Sequence, residues 1–285
     1  MMKTLRLLAA DWQGGDKPEY YFGAELLAWL APKNSKQQEI RVPIEAPENN
    51  HLIKENGVTA QKSVKKNVQN AKRIIEEQQP EKIITLGGTC LVSQAPFDYL
   101  HGKYKEELGI IWIDAHPDIS TPEIFYNEHA MVLGNLLGKG DAELTKEVEN
   151  PLSSDSILYV GLQEPSPNEK NILKNLNIKY TIQAEKQLSY TEIQKWIDKS
   201  NFKKIAIHFD LDVLDPNSFR SIYFAEPGKK DFPAGAGSMS LLEVTSVLTN
   251  LFEYNDIVGL TIAEYLPWDA IKLKNLLNKL SIFNS

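Results

Sequence analysis

The chain has 285 residues, 42% of them hydrophobic and 24% charged, with a formal net charge of -7 at pH 7. These values suit a soluble globule with a substantial core, and the negative balance argues against nucleic acid or an anionic membrane as partner. Cys90 is the only cysteine, so no internal disulfide can form; no apolar run approaches the ~20 residues of a membrane span, and cytoplasmic residence is expected.

Met1–Ala10 has an apolar core of about five residues, short of the ~7–15 of a signal peptide, and Asp11 follows, so it reads as a first strand. From Val58 to Gln79, Val64, Val68, Ile74 and Ile75 recur near helical spacing among Lys, Gln and Glu, which predicts a helix that Pro80 stops. Lys82–Leu86 and Gly109–Ile113 follow as strands, short Ile-containing runs bounded by loop residues. Ile157–Gly161, Ile178–Ile182, Lys204–Asp210 and Ile257–Ala263 are further strand candidates. Helical patterns occupy Asn168–Leu176, Tyr190–Lys199, Leu241–Tyr254 and Ala270–Ile282, and Gly/Pro-rich Ala225–Gly237 reads as a long loop. Strand and helix alternate without repeat, low-complexity tract or dividing linker. The expectation is a single α/β domain over residues 1–285, a parallel β-sheet flanked by helices on both faces.

Two acidic segments directly follow apolar runs: Asp114-Ala115-His116-Pro117-Asp118, and Asp210-Leu211-Asp212-Val213-Leu214-Asp215-Pro216. Alternation along extended chain would put Asp114, His116 and Asp118 on one face, and likewise Asp210 and Asp212. Carboxylates gathered at strand ends are costly unless a positive charge neutralises them, and the carboxyl ends of strands are where open α/β sheets build their sites. A pair of divalent metal ions is the economical explanation, and hard carboxylates suit Mn²⁺. A solvated loop or a set of helix caps is the bland alternative. Asp215 reads as a turn cap or a support for the ligands, not as a ligand.

The segments resemble, in order, those of the arginase/agmatinase/formimidoylglutamase group, the ureohydrolases. Gly87-Gly88-Thr89-Cys90 stands for that family's Gly-Gly-Asp-His, Asp114–Asp118 for Asp-Ala-His-x-Asp, Asp210–Pro216 for Asp-x-Asp-x-x-Asp-Pro, and Glu264 for its late Glu. The resemblance implies an arginase-like fold and a dinuclear centre, usually of manganese. One ion would be held by Cys90, Asp114, Asp118 and Asp210 and the other by His116 and Asp212, with Asp114 and Asp210 bridging. A hydroxide shared by the ions would attack the carbon of a guanidinium or related amidine and release urea or its analogue. Asp114 and Asp210 therefore count as catalytic, together with His129 and Glu264. His129 matches the family's mobile proton-shuttling His, a task suited to a pKa of ~6.5, and Glu264 matches the Glu that pairs with the substrate's guanidinium. Without the resemblance, His129 reads as a helix-opening histidine and Glu264 as a helix cap or the partner of a surface Lys.

Cys90 departs from the family's common His. A thiolate is softer and shifts preference toward zinc or another ion, while a free Cys is equally a small buried hydrophobe; both readings stay open. Thr89 replaces the usual Asp, so the supporting hydrogen bonds must differ. His208 reads as a satisfied core or supporting histidine, and His51 and His101 have no supporting context. Ile119–Phe125 lacks the polar set with which arginases grip an α-carboxylate, and Ser166 stands where an acid for the α-amine would be, with Glu169 nearby. Plain arginase activity is therefore doubtful. The expected partner is a small guanidino or amidine compound: agmatine, a guanidino acid, hydroxyarginine, formimidoylglutamate or, least in keeping with those gaps, arginine. Two other readings compete: a single-metal deacetylase-like hydrolase, whose paired histidines are not visible, and a degenerate relative that binds without turnover. Family resemblance implies a homo-oligomer, a trimer or hexamer.

Overall fold

The computed structural model describes residues 3–47, 52–280 and 282; Met1, Met2, His51 and Ser281 lie outside the described residues. The strands are β1 (Thr4–Ala9), β2 (Gln38–Arg41), β3 (Lys54–Glu55), β4 (Val58–Thr59), β5 (Lys82–Gly87), β6 (Leu108–Ile113), β7 (Ile157–Val160), β8 (Lys204–Asp210) and β9 (Ile257–Ala263). The helices are α1 (Glu19–Leu30), α2 (Gln61–Gln78), α3 (Gln94–Tyr104), α4 (Val132–Leu136), α5 (Ala142–Thr145), α6 (Pro167–Asn175), α7 (Tyr190–Ser200), α8 (Leu241–Tyr254) and α9 (Trp268–Leu277). Seven strands form one sheet in the order β2-β1-β5-β9-β8-β6-β7, every pairing parallel, while β3 and β4 make a small antiparallel hairpin.

Side-chain alternation explains why helices cover both faces. In β6, every residue of which is buried, Ile110 and Trp112 join one core with Leu5, Leu7 and Ile83 and with Val64, Val68 and Ile75 of α2 and Phe97 and Leu100 of α3. Ile111 and Ile113 point the other way, into a second core with Ile205 and Ile207 of β8, Ile193 and Ile197 of α7, and Val244, Val247 and Leu251 of α8. Each such fully buried side chain contributes about 1.5–3 kcal/mol, so a central strand reads as an unbroken apolar run. No helix among the described residues is long and apolar enough to cross a membrane.

The expected β8, α8 and β9 occur with the expected limits. Elsewhere the structure differs. Helix α2 starts at Gln61, because Val58 and Thr59 pair with β3 and Ala60 sits at φ 55° before the helix can begin. Ile178–Ile182 is no strand. The Ile178 amide bonds to Leu173 O (3.0 Å) and the Gln183 amide to Leu162 O (2.7 Å), so this stretch is tied to the end of α6 and β7 remains the sheet edge. Helices α1 and α3 and the short, mostly polar β2 carry no sequence signal comparable to these. The buried face of α1 uses Gly23, Ala24 and Ala28, and a Cβ on Gly23 would come within 1.7 Å of Tyr265 O. Close approach, not an apolar stripe, seats this helix.

Candidate metal centre

Strands β5, β9, β8 and β6 are neighbours and run parallel, so their carboxyl ends open at one edge of the sheet. Each delivers a polar group there: Cys90 after β5, Glu264 after β9, Asp210 at the end of β8 and Asp114 after β6. Gly88 is the hinge of this edge. A Cβ on it would meet Asp11 O at 1.8 Å, its amide donates to Ala9 O (3.0 Å), and its carbonyl accepts from Glu264 N (2.8 Å). The tips of β1, β5 and β9 are thereby pinned together.

Turns, not strand alternation, gather the acids. The extended chain stops at Ile113 and Asp210, which corrects the expectation that pleat parity would align the two segments. Asp114 Oδ1 accepts from His116 N at 2.6 Å, and Asp210 Oδ1 accepts from Asp212 N at 2.6 Å, so one Asx-type turn is built twice. The two turns bring His116 Nδ1 to 3.1 Å from Asp212 Oδ2. Asp118 at φ 50° and Glu264 at φ 65° occupy left-handed backbone, which costs a residue with a Cβ roughly 1 kcal/mol or more. Strain of this kind concentrates at functional sites.

Among the described residues, four sets of groups place one ligand-type atom per residue within 4.8 Å of one another: Cys90, Asp114, His208 and Asp210; Asp114, His116 and Asp212; Asp210, Asp212 and Glu264; and Cys90, His129 and Glu264. Cys90, Asp114, Asp210, Asp212 and Glu264 each belong to two sets. Among the described residues Asp118, buried beside them, belongs to none, and its Oδ2 has no hydrogen-bond partner; nor has Asp212 Oδ1. His129 Nδ1 lies 2.8 Å from Glu264 Oε1, and the Cys90 thiol donates to Asp210 Oδ2 at 2.8 Å. His208 stacks on Trp112 (3.8 Å between ring centres), bonds Ser93 Oγ through Nδ1 and reaches Asp114 Oδ2 at 3.5 Å, while its Nε2 makes no hydrogen bond among the described residues. His101 instead bonds Asn150 O. Asp215 accepts from Asn217 N and caps a turn.

The electrostatics follow from burial. Removal from water, then the charges of Asp212, Glu264 and Asp114, push the Asp210 carboxyl well above its usual range; burial and the Asp114 charge do the same to Asp118. Burial, followed by the surrounding Asp118, Asp210, Glu264 and Asp114 charges, raises the Cys90 thiol well above its ordinary value. Asp114 resists: burial would raise it, but the neighbouring His116 and His208 imidazoles hold it below the ordinary carboxylate value. Burial alone would depress His129, yet the adjacent Glu264 carboxylate outweighs it and the imidazole ends above its ordinary value. More negative charge is enclosed here than the chain's own cations balance.

A cavity of about 770 Å³ opens onto this cluster, and Ser120, Ser166 and Glu169 line it along with the acids. Ser166 caps α6 and Glu169 closes the capping box, so that acid is engaged with the Ser166 amide (2.8 Å). Three contributors escape a reading of the sequence. Tyr20 donates to Glu264 Oε2 at 2.7 Å across 244 residues, which no spacing could announce. Glu128 is fully buried, and desolvation raises its carboxyl to about 8. Asp11 accepts from Thr89 Oγ1 (2.5 Å), Asn67 Nδ2 (2.9 Å) and Gly14 N (3.2 Å); its place directly after an apolar run was the visible signal.

The Arginase family model matches residues 33–272. This chain belongs to the Arginase family. Its Arginase-family relatives include the arginase of Staphylococcus aureus (strain COL), 31% identical over 140 residues, a stretch covering 47% of this chain and 46% of the relative. The match thus spans about half the length of that curated relative. The crystal structure of Entamoeba histolytica arginase in complex with L-ornithine superimposes with a TM-score of 0.79 at 19% identity, over 94% of this chain and 92% of that one. A putative agmatinase from Clostridium difficile gives a TM-score of 0.63 at 17% identity, over 97% and 93%. Proteins named as an arginase and as a putative agmatinase therefore share this fold.

Proposed function

We propose that this chain is a metal-dependent hydrolase of C–N bonds in small guanidino or amidine compounds, releasing urea or an analogue. The observation that carries the proposal is the buried convergence of Asp114, His116, Asp210 and Asp212 in overlapping sets, with unpartnered oxygens on Asp118 and Asp212. Buried polar atoms without partners are rare unless something absent from the protein satisfies them.

The donor set fits a pair of divalent cations. Cys90, Asp114, Asp210, Asp212 and Glu264 each sit in two sets, so neighbouring sets share ligand-type groups, and such overlap argues against a single-metal site. Asp118 and the Cys90 thiol would complete one ion's ligands; His116 and Asp212 would hold the other. Carboxylates and imidazole suit Mn²⁺, and the thiol opens the site to softer ions such as Zn²⁺. Bound there, the cations supply Lewis acidity that lowers the pKa of water toward about 7 and stabilises developing negative charge.

The chain's own side chains do the rest. Glu264, its backbone fixed through Gly88 O and its carboxylate through Tyr20, presents an anion against which a planar guanidinium aligns. His129, 22% exposed at the cavity wall with Nδ1 held 2.8 Å from Glu264 Oε1, can carry a proton between the site and solvent. Without a bound cation the Cys90 thiol is a poor nucleophile, because burial and then the four carboxylates around it oppose its ionisation.

Urea release from a panel of guanidino compounds, with Mn²⁺ added to saturation, tests the proposal. Turnover of at least one compound, lost on chelation and regained with metal, is expected. Metal-saturated protein that releases urea or its analogue from none of them would overturn it.

A further inference from the structure

The walls of the cavity differ in chemistry from its acidic floor. Phe224 stacks against His116 (5.7 Å between ring centres) and meets Tyr223 at 5.3 Å; Phe125 lies against His129 (6.3 Å) and meets Tyr126 at 4.8 Å. An aromatic pair therefore flanks each of the two histidines, and all four rings line the cavity.

The Lys and side-chain amide nitrogens along the wall that could receive a carboxylate tail already have partners, while lining hydroxyls such as that of Ser166 keep their own hydrogen. Lys17 is the one Lys or Arg among the lining residues; it lies 3.6 Å from Glu226 and over the rings of Tyr223 (5.2 Å) and Trp268 (5.4 Å). Asn127 Nδ2 donates to Gly15 O (3.2 Å), and Gln163 Nε2 donates to Gly161 O (2.9 Å) and Ser238 Oγ (3.2 Å). In the loop over the site, the amides of Ser120, Ile124, Phe125 and Ala130 bond to carbonyls of the same loop. A carboxylate entering here would meet no Lys or Arg free of an acid among the lining residues and would have to rely on hydroxyl and amide donors. Acids that could attract an ammonium tail are matched or solvated: Glu164 is ion-paired with Lys170, Glu169 is closed into its capping box, and Asp16 is exposed.

We infer that the substrate of this site carries an apolar, carboxylate-free group, alkyl or aryl, on its guanidine or amidine nitrogen, seated between the Phe125/Tyr126 and Tyr223/Phe224 walls. This rests on the hydrolase reading above and names its substrate class. A guanidinium directed at Glu264 would leave its substituent among rings, where aromatic and aliphatic surface is removed from water.

The test uses the Mn²⁺-loaded protein with benzylguanidine, butylguanidine, methylguanidine, agmatine, 4-guanidinobutyrate and arginine, measuring urea release and, separately, calorimetric binding. The benzyl or butyl compound is expected to exceed agmatine, 4-guanidinobutyrate and arginine in kcat/KM by at least about tenfold. Phe125→Ala is expected to cut the benzylguanidine-to-methylguanidine ratio of kcat/KM by about tenfold, and Tyr126→Ala, at a more exposed position, to move it in the same direction. A preference for agmatine, the guanidino acid or arginine would overturn the inference while leaving the hydrolase reading intact, as would an unchanged ratio in both variants. If no compound releases urea, the hydrolase reading and the inference resting on it fall together, whereas turnover with equal or reversed calorimetric affinity of benzylguanidine against 4-guanidinobutyrate overturns the inference alone.

Discussion

Glu128 offers a quantitative test of how the residues beside the site are held. Its carboxyl is fully buried, Oε1 accepts from Asn135 Nδ2 at 2.6 Å, and Oε2 has no partner. Desolvation, reinforced by the Asp141 and Asp11 charges and only partly offset by Asn135, raises its pKa from 4.5 to about 8. The folded chain therefore holds a proton that the unfolded chain releases above pH 4.5. The stability linked to that proton is fully present below pH 4.5 and is lost as pH rises through about 8. At 1.36 kcal/mol per unit, the shift corresponds to roughly 5 kcal/mol when fully expressed and about 3 kcal/mol at pH 7. Glu128→Gln copies the protonated form: its Oε1 can keep the Asn135 bond, and it cannot ionise. Urea unfolding of both proteins in chelator, between pH 4.5 and 8.5, isolates the effect, because the remaining acids titrate alike in both. The variant should gain little at pH 4.5, under about 1 kcal/mol at pH 5, and about 3 kcal/mol at pH 7 relative to the parent. Stability curves that run parallel across this range would refute the reasoning.

Three further outcomes are expected. Asp114→Asn or Asp210→Asn should abolish turnover and weaken metal binding by at least about a hundredfold, measured by metal analysis after dialysis; parental rates in either variant would contradict the assigned roles. Cys90→His should keep or improve Mn²⁺-dependent activity, and an unchanged metal content and affinity in that variant would show that the thiol never touches the ion. Tyr20→Phe removes a buried hydrogen bond to a carboxylate worth ~1.5–3 kcal/mol, so kcat/KM should fall roughly tenfold to a hundredfold with metal content unchanged; a variant that loses metal instead would reassign Tyr20 to the centre itself.

What the sequence displayed and what it concealed divide along physical lines. The central strands β6, β8 and β9 are buried on both faces, and such a requirement writes itself as an apolar run. The two acidic segments were visible because each follows such a run, although their convergence comes from paired Asx-type turns and not from pleat parity. Ile178–Ile182 carries the same apolar pattern as a strand but packs without a ladder, since periodicity reports burial and not hydrogen bonding. Helix α1 was silent because its seat against Tyr265 O depends on the missing side chain of Gly23. That silence also hid Tyr20, which α1 carries to Glu264. Contacts made by close approach leave no period to read.

The central claim is that the carboxyl edge of β5, β9, β8 and β6 holds two divalent cations. Anomalous diffraction from crystals grown in excess Mn²⁺ tests it most directly. Two strong peaks are expected, both touching Asp114 and Asp210, one also near Cys90 and Asp118 and the other near His116 and Asp212. A single peak, or a cluster with no peak at all, would contradict the account.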